Sequence, residues 1–227
     1  MERSQKDFLG AIEHYQLGLL PQAKLLLQSC VKGDPRHAEA YNLLGIVCYQ
    51  RREFREGLQY LQRALTLKPG EVNYLNNAGV TAHALGQYEA AKTYFRRAID
   101  LNPENHDPYN NLGNLLKDLF RFDDAIQCYK QALAIKPDFA AACFNLALAL
   151  ELKGHRIEAI FYLQQTVKMM PDHLKAHQKL AQLLPAYNRP DEAREHAREV
   201  EWLIPRQKVF YRQTPVWTPP HYQGLFS

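Results

Sequence analysis

One proline recurs every 34 residues along this 227-residue chain. The series consists of Pro35, Pro69, Pro103, Pro137, Pro171 and Pro205. A fixed period of this length is typical of repeat proteins, in which each repeat buries its apolar side by stacking on the next. The period divides the chain into six blocks in which this proline is position 32, namely 4–37, 38–71, 72–105, 106–139, 140–173 and 174–207.

Two further columns indicate what each block folds into. Position 8 carries only small residues, which are Ala11, Gly45, Gly79, Gly113, Ala147 and Ala181. Position 24 is large in the first five blocks, with Leu27, Leu61, Phe95, Tyr129 and Leu163. Small residues let two helices approach closely, and apolar residues recur at helical spacing in both halves of a block. We therefore expect two amphipathic helices per block, the second of which ends at the proline.

These columns resemble the tetratricopeptide repeat (TPR) family. The segments AYNLLGIVCYQRREFREGLQYLQRALTLKP and PYNNLGNLLKDLFRFDDAIQCYKQALAIKP carry the family pattern of Leu-Gly at positions 7–8 and Ala, a large residue, Ala and Pro at positions 20, 24, 27 and 32. The resemblance implies an all-α, right-handed superhelix of six repeats over residues 4–205. First helices would line its concave groove, which in the family binds peptides or protein surfaces.

Composition excludes several other classes of protein. The net charge is +4, and residues 206–227 contain three basic residues and no acid, which leaves 25 basic and 24 acidic residues before them. A near-neutral body of this kind does not favour nucleic-acid binding. The sequence shows no signal peptide and no apolar run long enough to span a membrane. With four cysteines and no C-x-x-C spacing, we expect reduced thiols and a cytoplasmic protein.

Family geometry predicts which residues face the groove. Position 6 holds Asn77, Asn111 and Asn145, and an amide has both a donor and an acceptor for a peptide backbone. This column resembles the asparagine ladder in the TPR arm of O-linked N-acetylglucosamine transferases. The alternatives are that asparagine only keeps a helix face polar and that the aromatic residues are core. The predicted binding residues are Tyr15, Asn42, Tyr49, Asn76, Asn77, His83, Asn110, Asn111, Asn114, Lys117, Phe144, Asn145 and Leu148.

No pattern in the sequence indicates catalysis, a metal site or a cofactor. Phosphate-binding loops and nucleophile motifs are absent from the sequence. His173 and His177 are four residues apart but straddle a helix start at a repeat junction. The Lys, Asn and Arg clamp of chaperone-binding relatives is also missing, since Phe8 and Ile12 begin the columns at positions 5 and 9. We therefore expect a chain that is not an enzyme.

The sequence thus predicts a scaffold that holds an extended segment of a protein or peptide partner. An alternative is the substrate-presenting arm of a larger, glycosyltransferase-like enzyme that continues beyond Ser227. Residues 206–227 break the 34-residue pattern and contain three prolines and five aromatic residues. We expect this tail to form a short helical turn and then an extended segment. Three roles are open for the tail: it covers the last repeat, it leads into a further domain, or it docks in a groove. The groove would belong to the same molecule or to a neighbouring one, and the second case would be self-association.

Overall fold

The computed structural model describes the backbone of residues 2–213 and the side chains of residues 2–206. Within this range the chain forms twelve α-helices and one short 3₁₀ helix, and it contains no β-strand. The all-α fold expected from the sequence is confirmed. The α-helices in chain order are α1 Glu2–Gln16, α2 Leu20–Gly33, α3 Ala38–Gln50, α4 Phe54–Leu67, α5 Val72–Ala84, α6 Tyr88–Leu101, α7 His106–Asp118, α8 Phe122–Ile135, α9 Ala140–Leu152, α10 Arg156–Met169, α11 Leu174–Leu183 and α12 Pro190–Gln213.

The described residues divide into two compact units. Unit 1 covers residues 2–103, and unit 2 covers Glu104–Gln213. In unit 1, α1 packs on α2, α3 on α4 and α5 on α6, and the pairs stack through α2 with α3 and α4 with α5. In unit 2, the corresponding pairs are α7 with α8, α9 with α10 and α11 with α12. Consecutive helix pairs are the arrangement expected of the repeat, while the boundaries of the six blocks stay a prediction.

Small residues at position 8 allow the two helices of a pair to touch. A Cβ atom added at Gly79 would lie 2.5 Å from the Phe95 ring, and one at Gly113 would lie 2.6 Å from the Tyr129 ring. At Gly45 it would lie 2.3 Å from Leu61. Real Cβ atoms do not approach other heavy atoms this closely, so the position 8 and position 24 columns are complementary halves of one contact.

The turn inside each pair uses the left-handed backbone conformation at position 15. Gly18, Gly86 and Gly154 have φ angles of 73°, 73° and 83°, which glycine adopts without steric cost. Arg52 and Phe120 occupy the same position with φ angles of 62° and 59°, although neither is glycine. The packing of the helix pair therefore sets this turn even where the local sequence does not favour it.

The last helix differs from the expectation that position 32 ends the second helix. α12 continues through Pro205 to Gln213, so residues 206–213 extend this helix and do not begin a separate turn. The Arg206 guanidinium lies 3.6 Å from the centre of the Trp202 ring, one helical turn earlier. This stacking supports the helix across the missing N–H of the proline. The expected extended path of residues 214–227 lies outside the described residues.

Between residues 2 and 213, every helix is too short or too polar to cross a lipid bilayer. This agrees with the absence of a long apolar run in the sequence. The cytoplasmic location stays a prediction.

Candidate functional site

The first helices of unit 1 bring two predicted binding asparagines into contact. Asn77 on α5 donates from Nδ2 to Oδ1 of Asn42 on α3, at 2.9 Å. Asn42 is 3% exposed, whereas Asn77 is half-buried. Because α3 also contacts α5 directly, the bond joins two neighbouring helix pairs. We call the surface formed by the first helices of a unit its first-helix face.

Unit 2 repeats this hydrogen bond at the same register. Asn145 on α9 donates from Nδ2 to Oδ1 of Asn110 on α7, at 3.0 Å. In both units a position 6 amide donates to the position 5 amide that lies 35 residues earlier. The bond uses one N–H of the position 6 amide, whose Oδ1 and second N–H take no part in it. The asparagine columns therefore form ordered pairs on the first-helix face.

A third amide of unit 2, Asn114, is held by a tyrosine from the interior. The Tyr129 hydroxyl donates to Asn114 Oδ1 at 2.8 Å. Tyr129 is 0% exposed. Burial is the largest cause that raises the pKa of Tyr129 above its usual value, so the hydroxyl remains a donor. The sequence pattern placed Tyr129 in the core but gave no signal that its hydroxyl reaches position 9.

The aromatic candidates of unit 1 divide between core and surface. Tyr15 is 2% exposed, and its hydroxyl accepts from Gln50 Nε2 at 2.9 Å. Tyr49 is half-buried, with its ring centre 5.4 Å from that of Phe54. His83 is also half-buried and lies beside Tyr88. Tyr15 therefore belongs to the packed interior, which is the alternative considered for the aromatic residues.

Unit 2 adds apolar and charged side chains to its face. Phe144 is half-buried, and its ring centre lies 4.5 Å from that of His173. Leu148, one helical turn later on α9, is half-buried as well. Lys117 Nζ lies 3.8 Å from Asp118 Oδ1. The face of unit 2 thus combines amides with an aromatic, an aliphatic and a cationic side chain.

Four of the thirteen predicted binding residues are buried. They are Tyr15, Asn42, Asn76 and Asn110. Three of the four are asparagines at position 5. Asn42 and Asn110 are buried because each contacts the following helix pair. The other nine are partly exposed, namely Tyr49, Asn77, His83, Asn111, Asn114, Lys117, Phe144, Asn145 and Leu148.

His173 and His177 do not converge on a common point. His173 caps α11, where its Nδ1 accepts from the Ala176 N–H at 3.1 Å. His177 Nε2 lies 2.9 Å from the Pro171 carbonyl oxygen, and its Nδ1 lies 3.0 Å from His196 Nδ1. Each imidazole thus has its own hydrogen-bond partners.

We expect the last helix pair to loosen as the pH falls. Burial lowers the pKa of His173 and of His196 below the ordinary value of 6.5. A folded-state pKa below the unfolded one means that the neutral form contributes stability above about pH 6.5, and that this stability is lost as the pH falls through the folded pKa. Amide-exchange protection of α11, measured at about pH 7.5 and about pH 5, should show the loss.

His173→Asn is a matched control for this pH effect. Asn105 already caps α7 at the equivalent position, with Oδ1 accepting from the Asp107 N–H at 3.0 Å. Asparagine would therefore keep the cap without a titrating group. The variant should lose the His173 share of the pH dependence, and an unchanged dependence would show that His173 contributes nothing to it.

Another group of potential metal ligands lies in unit 1. Cys48 Sγ and carboxylate oxygens of Glu53 and Glu56 lie within 4.8 Å of one another. Lys24 Nζ, however, lies 2.8 Å from Oε2 of each glutamate. Burial raises the pKa of Cys48 to about 12, whereas a metal-bound cysteine is a thiolate. The geometry therefore favours an ion-pair network between the first two helix pairs.

Comparison of the sequence with protein families gives one match over most of the chain. Residues 5–202 match the family model described as the cilia and flagella-associated protein 70 C-terminal domain. A comparison with curated protein sequences gave no match.

Several solved structures, one of them described as a TPR protein, share the fold. PilW, a type IV pilus biogenesis factor, aligns with a TM-score of 0.79 at 20% identity, over 91% of this chain and 98% of that chain. PilF from Pseudomonas aeruginosa aligns with a TM-score of 0.77 at 19% identity, over 93% and 98%. YrrB, described as a TPR protein with an unusual peptide-binding site, aligns with a TM-score of 0.57 at 19% identity, over 82% and 96%. The TPR fold expected from the sequence is thereby confirmed.

Proposed function

We propose that this chain is a non-catalytic scaffold that binds an extended segment of a partner protein on a first-helix face. The chain belongs to the family of the cilia and flagella-associated protein 70 C-terminal domain. The recurring amide pair carries this proposal. In both units a half-buried position 6 asparagine is tied to the preceding helix pair by one N–H. The amide is thus held in place while its Oδ1 takes no part in that bond.

Apolar contacts would supply most of the binding free energy. About three net hydrogen bonds at about 1 kcal/mol each fall short of the roughly 4 kcal/mol that corresponds to millimolar affinity. Phe144 and Leu148 in unit 2 and Tyr49 in unit 1 are partly exposed on the same first helices as the amides. The amides would then position a peptide backbone, and the apolar residues would hold its side chains.

The structural neighbour YrrB supports the coarser part of the proposal. It is described as a TPR protein with an unusual peptide-binding site. Its 19% identity to this chain shows a shared fold and no shared ligand. The transferase-arm alternative and self-association through the tail stay predictions, as does the likeness of the asparagine column to a transferase ladder.

The triple variant Asn77→Ala, Asn111→Ala, Asn145→Ala should weaken peptide binding by about five-fold or more, because the unit that binds the peptide loses one or two hydrogen bonds of about 1 kcal/mol each. The probe is a 12-residue peptide selected by display from a random library on the immobilised full-length chain. Its affinity for the full-length chain and for the variant is measured by fluorescence anisotropy, and circular dichroism checks that both chains remain folded.

Gln127→Ala provides the control for this experiment. Gln127 is an exposed amide on the second helix α8, away from the first-helix face, so its loss should leave the affinity unchanged. If the selected peptide bound the triple variant as tightly as the unmodified chain, the asparagines would have no part in binding. Failure of any peptide to enrich during selection would contradict the proposed function itself.

A further inference from the structure

We propose that Asn114 and Asn145 form a subsite in unit 2 for a single residue of an extended partner chain, and that buried Tyr129 and Asn110 set the orientation of their two amides. The inference rests on the proposed function, since it names the chemistry of one part of the first-helix face. Tyr129 and Asn110 are positioning residues, because their burial keeps them from touching the partner.

The hydroxyl of Tyr129 sets which end of the Asn114 amide is available. Asn114 Oδ1 accepts from this hydroxyl at 2.8 Å. The Nδ2 atom of the same amide takes no part in this bond. Asn114 is half-buried, whereas Tyr129 is 0% exposed, so the interior lies on the tyrosine side. Asn114 thus offers N–H donors to a ligand.

The Asn145 amide has the opposite orientation. Its Nδ2 donates to Asn110 Oδ1 at 3.0 Å, and its own Oδ1 takes no part in that bond. Asn110 and Asn114 are four residues apart on α7, so their side chains are neighbours on one helix face, about 5–6 Å apart at Cβ. Because Asn145 bonds to Asn110, its amide and that of Asn114 lie about one helical turn apart along α7 on the face of unit 2.

This pair suits the backbone of an extended chain. In an extended chain the N–H and C=O of one residue point to the same side, as they do in the hydrogen-bonded pairs of an antiparallel sheet. Asn114 Nδ2 would donate to that C=O, and Asn145 Oδ1 would accept from that N–H. The subsite therefore accepts most side chains but excludes proline at the bound residue, because proline has no N–H.

Tyr129→Phe separates positioning from packing. It removes the hydroxyl and keeps the ring that fills the space beside Gly113. Without the hydroxyl, the Asn114 amide samples both orientations. We therefore expect the display-selected 12-residue peptide to bind about two- to five-fold more weakly by isothermal titration, while stability falls by no more than the loss of one hydrogen bond, about 1 kcal/mol. Tyr60→Phe is the matched control, since that hydroxyl donates to Glu56 on the second helix α4 and its removal should not change the affinity.

A pair of variants at position 110 tests the other half of the subsite. Asn110→Leu removes the acceptor for Asn145 and should weaken binding, whereas Asn110→Asp keeps an acceptor oxygen of the same shape and should restore most of the affinity. The inference would be overturned if Asn114→Ala weakened binding and Tyr129→Phe did not, or if Leu and Asp at position 110 behaved alike. Neither result would contradict the proposed function. An unaltered affinity in the triple asparagine variant would contradict both this subsite and the role of the asparagines in the proposed function.

Discussion

Phe95→Ala should lower the free energy of unfolding of unit 1 by about 3–5 kcal/mol, the usual cost of truncating a fully buried phenylalanine. Phe95 on α6 is 0% exposed and lies directly against Gly79 on α5. The glycine has no side chain that could move into the space left by the ring, so the cavity would persist. The loss should therefore fall in the upper part of the range for core truncations.

Urea unfolding followed by circular dichroism measures this effect, and amide exchange locates it. In a stack of repeats each pair is stabilised mainly by its neighbours, so exchange should rise first in α5 and α6. Leu101→Ala on the same helix is the control, because Leu101 is 52% exposed and its truncation should cost less than about 1 kcal/mol. Equal losses in the two variants would contradict the assignment of Phe95 to the core of the repeat.

Gly79→Ala should also destabilise unit 1, by about 1–3 kcal/mol, although alanine is ordinarily the better helix former by about 1 kcal/mol. The added Cβ atom would lie 2.5 Å from the Phe95 ring, and the ring is fully buried, so helices α5 and α6 would have to separate. The sign of the effect is the informative part of the measurement, since packing and helix propensity act in opposite directions.

Two further variants test this explanation. At Gly10 on α1 an added Cβ atom would lie 3.4 Å from Leu26, an ordinary contact, so Gly10→Ala should stabilise the chain by up to about 1 kcal/mol. Combining Gly79→Ala with Phe95→Leu recreates the Ala and Leu combination that the first and fifth blocks carry at positions 8 and 24. The double variant should be more stable than the sum of the single effects predicts, and simple additivity would rule out a direct clash.

Periodicity predicted those parts of the fold that depend on residue size. The pairing of Gly79 with Phe95 follows from two columns of the sequence, because volume complementarity repeats with the block. The turns at Arg52 and Phe120 could not be recognised from residue type, since packing imposes a left-handed conformation that neither residue favours. α12 continues through Pro205, where Arg206 stacks on Trp202, and the 34-residue pattern contains no sign of this contact.

The candidate site was predicted less completely than the fold. Position 6 asparagines were assigned to the face, and Asn77 and Asn145 are partly exposed there. Position 5 was assigned to the same face, but Asn42 and Asn110 lie beneath the next helix pair. Sequence spacing identifies which side of a helix a residue occupies, and it does not give the depth at which the neighbouring helix covers it. For the same reason the link between Tyr129 and Asn114 required the three-dimensional structure.

The hydrogen bond between the position 5 asparagine of one block and the position 6 asparagine of the next joins two helix pairs in the same way in both units. Both partners are asparagine side chains. The position 6 asparagine contacts the preceding block, and the position 5 asparagine contacts the following one. A block that carries asparagine at both positions can be duplicated or removed, and the blocks on either side can still form this hydrogen bond. Duplication or loss of the gene segment that encodes one block would therefore lengthen or shorten the first-helix face by whole blocks.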